Sequence, residues 1–193
     1  MSLRPLRIAA LLSALLVAAC STTVSNTASP ASEATARAQL EQAARAALGK
    51  LYLNSKNATE LSTNAAGILV FPSVVKAGLL IGGEGGKGVL FSADGAKVLG
   101  YYSVAAVSCC LQVGAQDYSE AMILMTPEAI QGLNKADGWA VGMGPTVVVS
   151  NSGAAKDITT TTEKADVYAF IYGQSGLMAG LGVQGQKITR LVD

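Results

Sequence analysis

Hydrophobic and polar positions change their rhythm three times along this chain. Ile8–Ala19 is almost wholly Ala, Leu and Val, stands behind Arg4 and Arg7, and runs into Val17-Ala18-Ala19-Cys20. Residues 21–33 are rich in Ser, Thr and Ala with no hydrophobic period, the texture of a flexible tether. From Ala34 a helical rhythm sets in. Ala36, Leu40, Ala44, Ala47, Leu48, Leu51 and Tyr52 recur on one side of a wheel, with Arg37, Glu41, Arg45 and Lys50 elsewhere around it. That spacing predicts an amphipathic helix over about 34–53, packed on the domain. A second short helix is predicted near Ala58–Ala65.

Beyond Gly67 the rhythm becomes that of strands. Ile68-Leu69-Val70-Phe71 is a short apolar run stopped by Pro72, as in a buried strand or its edge. Gly78–Ile81, Gly88–Ser92, Val98–Val107, Cys110–Ala115 and Ala121–Met125 come next, with Ala93-Asp94-Gly95 as a hairpin signal. Thr126-Pro127-Glu128 opens a helix with an N-cap, a proline at N1 and an acid in the first turn, and Gly138 is expected to end it. Val141, Val147–Val149, Asp166–Tyr172, Gly176–Gly182 and Lys187–Leu191 complete the strands, around a polar loop at Ser152–Lys164. Short strands at close spacing, with glycines inside them that mark bends or bulges, predict an α+β fold. The expected form is a curved antiparallel sheet or small barrel-like sheet with two N-terminal helices and one mid-chain helix.

Composition narrows the function. Fourteen Lys+Arg stand against 13 Asp+Glu, and removal of Arg4 and Arg7 with a leader keeps the chain near neutral. That argues against a nucleic-acid binder driven by phosphate neutralisation. The chain has no histidine, which removes Ser-His-Asp and Cys-His nucleophilic arrangements and the commonest metal ligand. Cys109 and Cys110 are adjacent, and strand neighbours point to opposite faces; they read as buried small apolar residues rather than a redox pair. Asp117, Glu120, Asp137, Asp166 and Tyr168 could supply acid–base groups, yet no two carboxylates share a recognisable motif. A non-enzymatic protein without cofactor or metal is expected. A transmembrane β-barrel is disfavoured because aromatics, 5% of the chain, are too scarce for two girdles.

Gly83-Glu84-Gly85-Gly86-Lys87-Gly88 and Gly180-Leu181-Gly182-Val183-Gln184-Gly185 both satisfy G-x-G-x-x-G. A dinucleotide fingerprint needs a helix after the motif, and strand-like segments come after both. Gly86-Lys87 also fails as a P-loop, with Ile81 at the position of the first glycine and Gly88 at that of the Ser/Thr. Tight turns and close backbone approach are the expected roles.

The segment around Val17-Ala18-Ala19-Cys20 resembles the lipobox of a bacterial lipoprotein. A charged start, a short apolar run and small residues at the cut site form a secretory signal, and the run is too short for the roughly 20 residues a span needs. The resemblance implies a signal peptide at 1–19, acylation of Cys20 and a tether at 20–33. Ser21 behind the cysteine suggests the periplasmic face of the outer membrane.

Gly67-Ile68-Leu69-Val70-Phe71-Pro72, Lys76-Ala77-Gly78, the glycine run to Gly88 and Gln112-Val113-Gly114 resemble the SYLF domain. So does the later order of an apolar strand at Met122–Met125, a short helix and a closing Gly-rich strand pair. The resemblance covers roughly residues 35–192, giving a SYLF-like domain at 34–193. Where many members carry Gly-Trp-Ser, this chain has Gly100-Tyr101-Tyr102-Ser103. The resemblance implies a lipid-binding module; eukaryotic members bind phosphoinositides and some bind actin filaments, which a periplasmic protein would not meet. The expected function is a membrane-anchored lipoprotein with a phospholipid-binding domain in the bacterial envelope. The alternative is a structural lipoprotein that contacts another envelope protein. Expected partners are membrane phospholipid, through the acyl anchor and head groups, and no nucleic acid. Candidate head-group contacts are Lys76 and Lys87, which flank the glycine-rich stretch, and Arg37, Arg45 and Lys50 on the first helix, each able to contribute about 1 kcal/mol against anionic lipid.

Overall fold

The computed structural model describes residues 30–135, 137–141, 143, 145–151, 165–176 and 185–192. Helix α1 (Pro30–Asn54) and α2 (Lys56–Ser62) precede two long strands, β1 (Gly67–Ser92) and β2 (Val98–Leu124). Helix α3 (Pro127–Leu133) and strands β3 (Trp139–Ala140), β4 (Val147–Asn151), β5 (Val167–Gly176) and β6 (Lys187–Arg190) complete the order. The strands form one sheet in the order β3-β6-β2-β5-β4, with β1 along the other side of β2. The result is an α+β fold built on a curled half-barrel sheet.

Helix starts obey the sequence chemistry. Ser55 and Thr126 cap α2 and α3, accepting from Ala58 N and Ala129 N at 3.2 Å each. Pro127 occupies the first turn of α3, where its missing N–H costs nothing. Helix α1 begins at Pro30, four residues inside the stretch read as tether, and uses a proline start of the same kind. Helix α3 ends at Leu133, ahead of Gly138.

The strands of the first half are fewer and longer than their punctuation suggests. Pro72 and the glycines lie inside strands of 26 and 27 residues rather than between short ones. Pro72 falls at a register shift between Phe71 and Val74, a bulge position that needs no ladder donor. A second shift separates Leu79 from Ile81 in the glycine-rich middle. The hairpin forms as expected at Ala93–Gly95, with Gly95 at φ +70°. Among the described residues one pairing departs from a wholly antiparallel sheet: β4 pairs with β5 in parallel. Parallel neighbours need a crossover of a dozen or more residues, and the stretch between Asn151 and Val167 is long enough to supply it. The polar loop expected at 152–164 and the strand expected at 177–182 lie outside the described residues.

The curl brings β1 back onto itself. A straight strand would hold Val70 and Gly88 about 60 Å apart, yet a Cβ on Gly88 would stand 2.7 Å from Val70 O and 2.5 Å from Phe71 Cδ1. Gly86 is equally tight, 2.6 Å from Ser73 O. The glycine run is therefore a seam inside a strand, where close approach is its role and turning is not.

Because the sheet is covered on both sides, apolar residues fill both phases of its period of two. Leu69, Phe71, Val74, Leu90, Tyr102, Val104, Met122 and Leu124 line the inside with α3 residues Ala129 and Leu133. Ile68, Val70, Val89, Phe91, Ala121, Ile123 and Phe170 pack outward against Ala44, Ala47, Leu48 and Leu51 of α1 and Leu61 of α2. This is why Ile68-Leu69-Val70-Phe71 is continuously apolar.

Candidate functional site: a groove beside a buried polar cluster

Helix α1 is longer than the sheet it covers. Its apolar stripe is buried at Ala44 and beyond, half-buried at Leu40 and exposed at Ala36. The overhanging turns form one wall of a groove of about 790 Å³, whose other wall is the segment after β6. Ala36, Leu40, Ala43, Leu191 and Val192 supply its apolar lining, and Arg37, Lys87 and Glu33 its charges. Leu191 N donates to Tyr101 O at 2.8 Å, which fixes that wall to β2. Val192 is 91% exposed, a large apolar side chain held at the rim.

Tyr101 ties the overhang down. Its hydroxyl donates to Glu41 Oε1 at 2.5 Å, and Arg37 Cζ lies 5.0 Å from its ring centroid, within cation–π range. Lys87 approaches from β1 opposite Ser103 and is exposed. The groove thus joins two cations and the acid Glu33 to a strip of aliphatic carbon.

The five candidate cations separate into distinct settings. Arg37 and Lys87 meet at the groove. Arg45 stacks 4.6 Å over Phe91 and donates to Gly95 O at 2.5 Å, so it clamps α1 to the hairpin turn. Lys50 is exposed farther along α1. Lys76 is buried, with Nζ 3.8 Å from Glu84 Oε2. Cys20 lies outside the described residues, and so do the side chains of Cys109 and Cys110.

Lys76 belongs to a polar cluster inside the curl. Glu84 is its hub: Oε2 accepts from Tyr118 Oη at 3.1 Å, and Oε1 from Gln186 Nε2 at 2.9 Å. The same Gln186 nitrogen donates to Glu120 Oε2 at 3.1 Å. Glu120 is fully buried, and burial is the main cause that pushes its carboxyl up to about 8, with the nearby Glu84 charge adding to it. Burial also drives the Tyr118 and Tyr172 hydroxyls far above their usual range.

Of these residues only Lys76 and Glu120 stand out from the sequence. The signal for the rest is the strand period: Leu124, Met122, Glu120, Tyr118 and Gln116 occupy alternate positions of β2, and all are buried. Polar residues that continue an apolar phase mark an interior polar site.

The remaining acid–base candidates hold structure. Asp166 Oδ2 accepts from Thr146 N and Oγ1 at 2.9 Å each, which pulls its carboxyl below the ordinary range and joins β4 to β5. Asp117 accepts from Ser73 Oγ at 2.9 Å. Tyr168 Oη accepts from Ala165 N at 3.3 Å, and Asp137 is exposed. Among the described residues no three of His, Cys, Asp and Glu gather as a metal site, and no helix is long and apolar enough to cross a membrane.

Comparison with known families matches residues 105–193 to the family model described as Ysc84, Las17-binding protein actin regulator, which is the SYLF model. The match begins within β2 and takes in the groove wall at Leu191 and Val192 and the inward positions from Gln116 to Gln186. No curated protein matches the chain.

Proposed function

Since residues 105–193 belong to the SYLF family, a lipid-binding one, we propose that this protein is an envelope lipoprotein whose folded domain binds anionic phospholipid. The observation that supports this reading is the groove, where Arg37 and Lys87 border aliphatic side chains of α1 and of the segment after β6. The cations would face a phosphate, and Ala36, Leu40, Leu191 and Val192 would cover the first carbons of an acyl chain.

Attachment is part of the proposal. Acylated Cys20 would insert its chains at about 0.8 kcal/mol per buried CH₂, and Ser21 favours delivery to the inner leaflet of the outer membrane. From Cys20 to the start of α1 the backbone reaches at most about 35 Å. The groove lies on the first turns of α1, so an anchored chain would keep it near head groups, and tethering would let a weak site stay occupied.

Flotation of the domain with vesicles of neutral lipid, and of neutral lipid plus anionic phospholipid, tests this. Binding should require anionic lipid, weaken with salt, and fall roughly fivefold for each of Arg37→Gln and Lys87→Gln, as about 1 kcal/mol per cation requires. Equal recovery on neutral and anionic vesicles would overturn it. The matched family's description, a Las17-binding actin regulator, favours a protein partner as the second reading. Crosslinking in cells that captures one envelope protein, with vesicles ignored, would select that reading.

A further inference from the structure

The groove leaves the interior cluster without a role, and its chemistry is unusual. Glu120 is 0% exposed. Among the described residues no cation pairs with it, since Lys76 lies against Glu84 instead. Its Oε2 has one donor, Gln186 Nε2, and its Oε1 has no partner. Gln116 Oε1 and Gln186 Oε1 are buried acceptors that also lack a donor. The titratable groups around Glu120 are Lys76 and Glu84 from β1 and Tyr118 from its own strand, with Tyr172 of β5 in the outer cluster of the sheet. The one cation among them, Lys76, lies against Glu84, which leaves Glu120 without a cation of its own. Within the curl these three unpaired acceptors stand against one unpaired donor among the described residues, Trp139 Nε1, and one proton would ease that imbalance while removing a buried charge.

We infer that the inside of the curl is a proton-binding site, in which neutral Glu120 acts as a latch that holds the groove's Lys87 and its wall after β6 in place. The connection runs through two residues. Glu84 lies three positions before Lys87 on β1, and Gln186 lies five and six positions before Leu191 and Val192. Gln186 Nε2 spans the two carboxylates, at 2.9 Å from Glu84 and 3.1 Å from Glu120, and so ties the segment that leads to the Leu191–Val192 wall to β2 and to the stretch of β1 that carries Lys87. When Glu120 releases its proton to solvent, two carboxylates face each other across one amide with Lys76 as their cation. Like charges at this separation in a dry interior repel strongly, and the response open to the fold is movement of the β1 seam or of the segment that carries Gln186.

Two measurements on the same protein test this. Infrared spectra should contain a protonated-carboxyl band at neutral pH that disappears in mild alkali and is missing from Glu120→Gln. Trypsin should cleave after Lys87 and Lys187 several-fold faster in the wild type than in Glu120→Gln at about pH 9, with equal rates at about pH 6, since protonation brackets the raised pKa. The variant carries the protease's own pH dependence, so the ratio isolates the latch. Absence of the band in the wild type overturns the proton site. A wild-type to variant cleavage ratio that stays flat with pH overturns the latch.

Discussion

Glu84 and Gln186 stand 102 residues apart in sequence and 2.9 Å apart inside the curl. One belongs to the glycine seam of β1, the other to the segment that leads into β6. Their contact gives a strand bent back on itself a polar fixed point that crosses the interior. Tyr118 and Lys76 reach the same Glu84 oxygen at 3.1 and 3.8 Å, so the hub carboxylate is compensated. Glu120, on the far side of the same amide, is not.

That asymmetry sets a pH dependence. The Glu120 carboxyl is raised from an ordinary 4.5 to about 8. Between those values the unfolded chain has lost its proton while the folded chain keeps it, so unfolding gains. Stability from this group is complete below about 4.5, declines as pH rises, and levels off above about 8. The total is on the order of several kcal/mol for a group wholly out of water. Denaturant melts at intervals across that window should show the decline in the wild type and a much flatter curve in Glu120→Gln, with the variant the more stable protein in alkali. Parallel curves for the two proteins would mean that Glu120 is ionised in the fold.

The glycine seam makes a contrast between two substitutions of the same kind. A Cβ on Gly88 meets Val70 O and a ring carbon of Phe71 at under 3 Å, and neither can withdraw without moving the core. Gly88→Ala should cost about 1–3 kcal/mol, the range for overpacking. Gly49 in α1 has nothing within 4 Å of the added atom, and alanine there should stabilise by up to about 1 kcal/mol through helix propensity. Thermal melts of the two variants should shift in opposite directions.

Helices and the phase of each strand were legible because they depend on local chemistry. Thr126 and Pro127 announce the start of α3, and the wheel from Ala44 to Leu51 announces the buried face of α1, whereas α2 starts at Lys56 behind its Ser55 cap, two residues ahead of the expected Ala58. Strand length was not. Pro72 and Gly78 normally interrupt strands, and only the tertiary need to curl one ribbon keeps both within it, Pro72 at a bulge and Gly78 in regular pairing with Gly114. The parallel pairing of β4 with β5 likewise follows from tertiary placement that no local pattern announces. The groove was half legible: Arg37 and Lys87 are visible as charges, but their meeting depends on the overhang of α1 past the sheet. The interior cluster could have been read from the alternation of Gln116, Tyr118 and Glu120 with the apolar Met122 and Leu124. A polar residue in an apolar phase is easily taken for the end of a strand.

Lys76 and Lys87 look equivalent in sequence, as cations flanking one glycine run, and the fold gives them opposite fates. Lys76→Gln should remove the compensating charge from buried Glu84 and cost about 3 kcal/mol or more, visible as a lower melting temperature. Lys87→Gln should leave the melt unchanged, since its side chain is exposed, and should lower recovery on anionic vesicles. A Lys87 variant that melts early, or a Lys76 variant as stable as the wild type, would reverse this assignment.

Attachment and recognition can be separated by one thiol. Every buried core position among the described residues lies at Ala44 or beyond, so Cys20→Ala should leave the domain's melting temperature intact. If acyl chains on Cys20 hold the protein to the envelope, fractionation of cells should move this variant from membranes to the soluble periplasmic fraction. The groove alone, with two cations contributing about 1 kcal/mol each, is too weak to retain it against dilution. A variant that remains with membranes at high salt would require a far stronger apolar hold by the domain itself, and Val192→Asp at the groove rim would then be the substitution to release it.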